Sequence, residues 1–347
     1  MPWLRLIWVF NRAPEEHLVL LGDGGELLAG MTTYSMSVAA EAPWRADSRA
    51  GRGRPAADQA WLSSALMPSR LAGGRHVGPP SALFADSLSG AERGRALERL
   101  LVAATEVAAR QGDRSVSILF ADSTDRILAG VVEELGFARF QGPVRSTLDV
   151  PADGLEGYFA LFPSKRRIKL RGERRKVAEA GIEFSVQRLD NELAGRLVPL
   201  ESQNLRRYGR ATTPEQAAAS HLLIERILPG SAHALVAERA GKPVSFIEFH
   251  VWGDHLYTRT GGADYAAIEG IPVYFSMVFY ELVEHAARSG ARRIDYGVEA
   301  ARAKALRGCA QTPLVHFVKA LVEGDQRRLV ELAASEVGED TAPDVGG

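Results

Sequence analysis

Cysteine is almost missing from this chain of 347 residues: Cys309 stands alone. A single thiol excludes an internal disulfide and any zinc site built from cysteine pairs. Lysine is nearly as scarce, since Lys165, Lys169, Lys176, Lys242, Lys304 and Lys319 are the only six among 42 lysines and arginines. An excess of either charge is missing too. The net charge is −1, so the molecule as a whole is no bulk polyanion binder, and any phosphate contact must come from a local patch. No apolar run approaches the roughly 20 residues that cross a bilayer. Residues 4–10 are apolar for one strand's length and stop at Asn11 and Arg12, too short for a secretory leader. A cytoplasmic protein is the expectation. The sequence has no nucleophile elbow and no Walker loop, and its eight histidines show no metal-ligand spacing, so no metal is expected.

What is present is ordinary for a folded protein: 46% hydrophobic and 24% charged residues. The length exceeds what one core usually serves, so two domains are expected. Residues 17–21 and 26–38 read as a hairpin across Asp23-Gly24-Gly25, with a bulge at Gly30. Residues 40–82 are rich in Gly, Pro, Arg and Ser without a period, and read as a long loop. Residues 91–111 carry Leu97, Leu100, Leu101, Ala104 and Ala108 at helical spacing, with Ser89 as N-cap and Gly112 as stop. A buried strand at 116–121, a helix at 125–135 and an extended segment at 137–150 follow.

A second unit starts near Pro151. Its elements are a basic helix at 155–180, a strand at 182–189 and helices at 191–208 and 214–228. Then come a three-stranded meander at 232–238, 243–252 and 255–261, an amphipathic helix at 273–288, a strand at 292–296 and a last strand at 313–321. A final helix at 325–337 leads to a polar tail. Residues 91–150 and 273–321 repeat one pattern of long apolar helix, glycine stop, strand, helix and strand, which suggests a duplication.

Three features carry a family resemblance. The first is the basic helix around Pro163-Ser164-Lys165-Arg166-Arg167-Ile168-Lys169-Leu170-Arg171. The second is Tyr257-Thr258-Arg259-Thr260-Gly261-Gly262-Ala263-Asp264 with a helix opening at Pro272. The third is the strand end Asp295-Tyr296-Gly297 followed by Lys304 and Gly308. In this order they resemble the Fem-like acyltransferases, which pair two GNAT units in tandem. The resemblance implies an α/β fold with a mixed sheet and two GNAT-like units at 1–150 and 151–325, followed by a C-terminal helix and tail at 326–347. It implies an acyl or aminoacyl transferase forming an amide or ester on a small amino-containing acceptor, in cell-wall or natural-product biosynthesis. The co-substrate is aminoacyl-tRNA or acyl-CoA, with no tightly bound cofactor. The Gly-x-Gly or Gly-x-Ala signature of acetyl-CoA enzymes is not found directly before either long helix; Arg259-Thr260-Gly261-Gly262-Ala263 comes nearest but stands too far ahead of Pro272, which favours aminoacyl-tRNA or an unusual acyl donor. A catalytically silent pair binding RNA or precursors is the alternative of another class.

Individual residues follow from chemistry and from the resemblance. Between Lys165 and Lys176 stand eight positive charges, Lys165, Arg166, Arg167, Lys169, Arg171, Arg174, Arg175 and Lys176, offset by Glu173. Like charges on one helix repel, and a polyanion relieves them; a solvated, carboxylate-paired face is the other reading. Glu248 and His250 share a strand face and form a candidate pair for taking a proton from an acceptor amine; hydrogen-bonded core residues are the alternative. Lys304 matches a lysine that the resemblance implicates in function, where an ammonium stabilises a developing oxyanion; a surface lysine before a turn is the plain reading. Asp264, Asp295 and Glu299 cluster around strand ends, the region that the resemblance implies lines the donor or acceptor channel, although Asp295 equally suits a turn cap; Arg259, Tyr296 and Arg307 are further candidates for substrate binding. Arg206, Arg207 and Tyr208 end a helix and suit an acceptor's anionic part, or serve the helix dipole. Cys309 reads as a small buried residue. Gly51-Arg52-Gly53-Arg54 reads as flexible loop.

Overall fold

The computed structural model describes residues 15–39, 44–74, 82–207, 213–215, 217, 218, 221 and 229–336. The chain divides into two compact units, one of residues 11–144 with 312–347 and the other of residues 1–10 with 145–311. The segment expected as a strand at 4–10 and most of the helix expected at 214–228 lie outside the described residues.

In the first unit, β1 (Glu15–Leu21) and β2 (Leu27–Met36) form the expected hairpin across Asp23–Gly25. Its irregularity falls between Leu20 and Leu21, not at Gly30. The supposed loop of 40–82 is largely regular. It holds α1 (Ala46–Ala50), α2 (Ala56–Leu66), β3 (Ser69–Ala72) and, at its end, β4 (Ala82–Phe84). Leu62, Ala65 and Leu66 pack with Phe140, Val318 and Leu329, partners too remote in sequence to leave a local period. Arg70 hid β3: it is fully buried, and Asp113 (2.9 Å), Glu16 (3.0 Å) and Thr33 (3.2 Å) accept from its guanidinium.

The helix α3 (Gly90–Gln111) begins at a capping box between Ser89 and Glu92 and ends at Gly112, whose φ of 78° suits glycine. Then come β5 (Ser115–Asp122), α4 (Arg126–Glu134) and β6 (Ala138–Asp149).

The second unit opens with α5 (Gly154–Ala160) and α6 (Ser164–Glu179), so the expected single helix is broken at Pro163. It continues through β7 (Ile182–Arg188), α7 (Asn191–Arg207), β8 (Ala232–Arg239), β9 (Lys242–Trp252) and β10 (His255–Ala263). The helix α8 follows as Val273–Ser276, a π-helical turn at Met277–Glu281 and Leu282–Ser289. β11 (Arg293–Asp295) and α9 (Ala301–Ala305) complete this unit. Its strand order is β6-β11-β10-β9-β8-β7, with the last residues of β6 as the end strand. Glycines at 241 and 253 turn the meander with φ of 73° and 60°.

The last strand, β12 (Ala310–Ala320), and the helix α10 (Glu323–Glu336) return to the first unit. Sequence order placed this strand at the end of the second unit. It pairs instead antiparallel with β5, Leu314 opposite Asp122 and Ala320 opposite Ser115.

The sheet of the second unit has two covered faces. Ile247 and Phe249 join Leu170 and Val177 of α6 and Met277, Phe279 and Val283 of α8 in the larger core. Phe246, Ala232, Ala234 and Val236 meet Leu193, Leu197 and Leu200 of α7 on the opposite face. Alternation along β9 therefore sends Glu248 and His250 to the α7 face, away from α6 and α8.

Candidate active site

Strands β10 and β11 run parallel for three pairs, ending at Tyr257 opposite Asp295. Beyond them Thr258 still donates its hydroxyl to the Asp295 carbonyl at 3.1 Å, and then the strands part. α7 crosses the free stretch of β10. Asn204 donates to the Gly261 carbonyl at 3.0 Å, and a Cβ on Gly262 would stand 2.3 Å from the Leu200 carbonyl carbon. Only glycine allows that approach.

Beside this point, on the α7 face, lies a buried ionic cluster. Glu248 is fully buried, and its carboxylate meets Arg259 Nη1 at 2.8 and 3.0 Å, His250 Nε2 at 3.0 Å and His221 Nδ1 at 2.5 Å. The other His221 nitrogen lies 3.0 Å from Glu201, and Glu201 accepts from Thr260 at 2.8 Å. Burial opposes charge on both groups, yet it does not win. The hydrogen bonds to Glu201 and Glu248 lift His221 to about 9. Arg259 and the two histidines hold Glu248 well below the usual carboxylate range despite burial. His221 is thus an imidazolium between two carboxylates.

His250 occupies a different position. Its Nε2 donates to the Glu248 carboxylate, so in the neutral imidazole Nδ1 is the acceptor nitrogen. Nδ1 is buried and has no hydrogen-bond partner among the described residues. A buried acceptor left unpaired costs about 1–3 kcal/mol. Tyr257 pairs with His250 across the strands and so lies on the same face. Burial and then the Asp295 charge raise its phenol above the usual value, keeping it a proton donor.

The other residues singled out by sequence fall elsewhere. Asp295 lies on the Tyr257 face, ion-paired to Arg145 and accepting from Gly297 N at 2.8 Å, the turn-holding role. Tyr296 points the other way and donates to the Val278 carbonyl at 2.9 Å. Lys304 is buried and donates to the Tyr296 carbonyl. Burial lowers its pKa, with Cys309, Glu299 and Asp295 opposing. Cys309 is buried, which pushes its thiol up to about 12. Arg307 is buried against Glu173 at 2.8 Å and stacks on Phe275. Asp264 caps its own turn through Ala267 N at 3.1 Å. Glu299 is exposed, as is Arg206 at the end of α7; Tyr208 lies outside the described residues.

The basic helix α6 packs on the other face of the sheet from Glu248 and His250. Its arginines are largely neutralised: Arg171 pairs with Glu156, Arg174 with Glu281 and Arg175 with Glu179, while Arg167 donates to Phe162 O and Ser164. Lys165, Arg166 and Lys169 have no ion-pair partner among the described residues. His221 and Glu201 were missed in the sequence because each stands alone on its own segment, with no spacing that links them to Glu248.

This arrangement defines a class. A mixed sheet whose parallel strands part beside a long helix is the GNAT architecture, and residues 164–305 match the family model of the acetyltransferase (GNAT) domain. The chain carries a GNAT acyltransferase domain, in a fold shared with the Fem-like tandem proteins. FemX is similar over 96% of this chain and 93% of its own, at 12% identity and a TM-score of 0.60. L-PGS from Bacillus licheniformis is similar over 96% and 95%, at 11% identity and 0.54. A tandem GNAT protein from the clavulanic acid biosynthesis pathway is similar over 89% and 83%, at 12% identity and 0.51. No curated protein sequence matches significantly.

Proposed function

We propose that the unit of residues 145–311 transfers an aminoacyl group to an amine of a small acceptor, with His250 as general base. The observation that carries this reading is the buried Nδ1 of His250, without a hydrogen-bond partner among the described residues and oriented by Glu248 through Nε2. The acceptor nitrogen attacks the activated carbonyl carbon and gives its proton to Nδ1. The Tyr257 hydroxyl hydrogen-bonds the carbonyl oxygen as negative charge develops there. Collapse of the tetrahedral intermediate expels the donor's alcohol, which takes the proton back from His250. No covalent enzyme intermediate is needed, and positioning supplies much of the rate. Lys304 acts by holding the Tyr296 carbonyl, and so the turn beside the strand end, in place.

Aminoacyl-tRNA is the donor we favour. The turn leading into α8, residues 264–272, contains Asp264 and Glu269 and no lysine or arginine. A diphosphate docks best where a helix N-terminus meets no opposing negative charge. Arg206 and Arg207, exposed on α7 at the end of the covered face, suit a phosphate backbone. An acyl-CoA donor is the second reading, favoured by the match of residues 164–305 to an acetyltransferase domain. Purified protein given amine acceptors with charged tRNA, with acyl-CoA or with neither separates the two. RNase-sensitive transfer supports the first and RNase-resistant, CoA-dependent transfer the second. No transfer from either donor sinks both.

A further inference from the structure

The helix α6 is the basic motif that the transfer site does not use. Its inner face is spent on the fold: Leu170 and Val177 enter the core, and Arg171, Arg174 and Glu173 are paired. Its outer face is different. At 100° per residue, Lys165, Ile168, Lys169, Gly172 and Lys176 fall in one stripe pointing away from Leu170. Three of the six lysines in the chain stand there, and none has a carboxylate within ion-pair distance among the described residues. The stripe also shows one large apolar group to water: Ile168 is 72% exposed. Leu161, one turn before the helix, is 56% exposed, and Leu306 is 63% exposed beside exposed Arg302. Leu161 and the Leu306 turn are neighbours, because a Cβ on Gly308 would lie 3.9 Å from Leu161.

We propose that this face docks the protein peripherally on an anionic phospholipid bilayer. Lysines around an exposed aliphatic side chain suit the headgroup boundary, where ammonium groups meet phosphate and the aliphatic group enters the acyl region. RNA explains the lysines and leaves the exposed Ile168 among them without a role, since bases are recognised by stacking and hydrogen bonds. Among the described residues no helix is long and apolar enough to cross a membrane, so the contact is one of surface. Flexible lysines keep their charge at phosphate level while their stems lie along the apolar groups. The proposal is independent of the transfer reaction, because α6 and the His250 cluster lie on opposite faces of the sheet.

The test is co-sedimentation of the full chain with vesicles of phosphatidylcholine alone and of phosphatidylcholine mixed with phosphatidylglycerol, with uncharged tRNA as competitor. Binding to the mixed vesicles is expected to be roughly tenfold tighter or more. Ile168→Asp, at a side chain too exposed to matter for folding, is expected to weaken it roughly tenfold. Lys165→Gln combined with Lys169→Gln and Lys176→Gln removes the preference for phosphatidylglycerol. Circular dichroism confirms that each variant folds. Equal affinity for both vesicles, or no binding to either, overturns the proposal. So does unchanged binding by Ile168→Asp together with displacement by tRNA, which assigns the face to RNA.

Discussion

Glu248 and His250 stand two residues apart on one face of β9, with Oε1 of the first 3.0 Å from Nε2 of the second. The carboxylate fixes which imidazole nitrogen donates to it, and the other nitrogen has no hydrogen-bond partner among the described residues. Replacing His250 by Gln keeps a polar side chain of similar size and removes the base. Turnover is expected to fall about 10²–10⁴-fold, with the acceptor KM nearly unchanged. Steady-state kinetics of aminoacyl transfer check this, and undiminished kcat removes His250 from the mechanism.

The charge on His221 makes stability depend on alkali. Its folded pKa of about 9 stands above the ordinary 6.5. A raised value contributes stability fully below about 6.5 and loses it as pH climbs through 9. The loss is on the order of 3 kcal/mol. Urea unfolding at pH 6 and pH 9.5 is expected to show it in the native protein and not in His221→Gln. Equal slopes in both would contradict a charged His221. Glu248, held low, acts oppositely: its contribution is present above the ordinary carboxylate range and fades as pH falls.

Lys304 is tied to a main-chain carbonyl within the protein. Lys304→Met keeps the stem and removes the ammonium, leaving the Tyr296 carbonyl buried without this donor. Stability is expected to fall by about 1–3 kcal/mol, while kcat changes less than tenfold. Calorimetry beside transfer assays separates the two effects. A collapse of kcat at unchanged Tm would return Lys304 to the chemistry.

Gly262 offers a steric test. A methyl group there meets the α7 backbone at 2.3 Å, a contact with main chain rather than with the end of a flexible side chain. Gly262→Ala is expected to cost about 1–3 kcal/mol or more, and to lower activity by displacing Glu201 from His221. The urea midpoint is the measurement. An unchanged midpoint means that α7 does not press on β10.

Much of the fold was readable in order along the chain. The hairpin glycines, the Ser89 cap, the Gly112 stop and the three-stranded meander are local devices, and all appear where local rules put them. The elements within 40–82 were not readable, because α2 and β3 are stabilised by Phe140, Leu329, Asp113 and Glu16, which local composition does not reveal. The partner of β12 was equally hidden, since a strand's alternation says which face is apolar and not which strand it will join.

The sequence by itself determined that Glu248 and His250 share a face, because a strand repeats every two residues. It also determined that a dense positive charge sits on one helix, because that charge is written in consecutive residues. Only the tertiary structure decided which charges are spent. It put His221 between Glu201 and Glu248, turned Arg171 and Arg174 toward carboxylates and left Lys165 and Lys169 facing water. The physical reason is range. Backbone geometry acts over a few residues, whereas the charge state and availability of a side chain depend on burial and on neighbours that only long-range packing delivers.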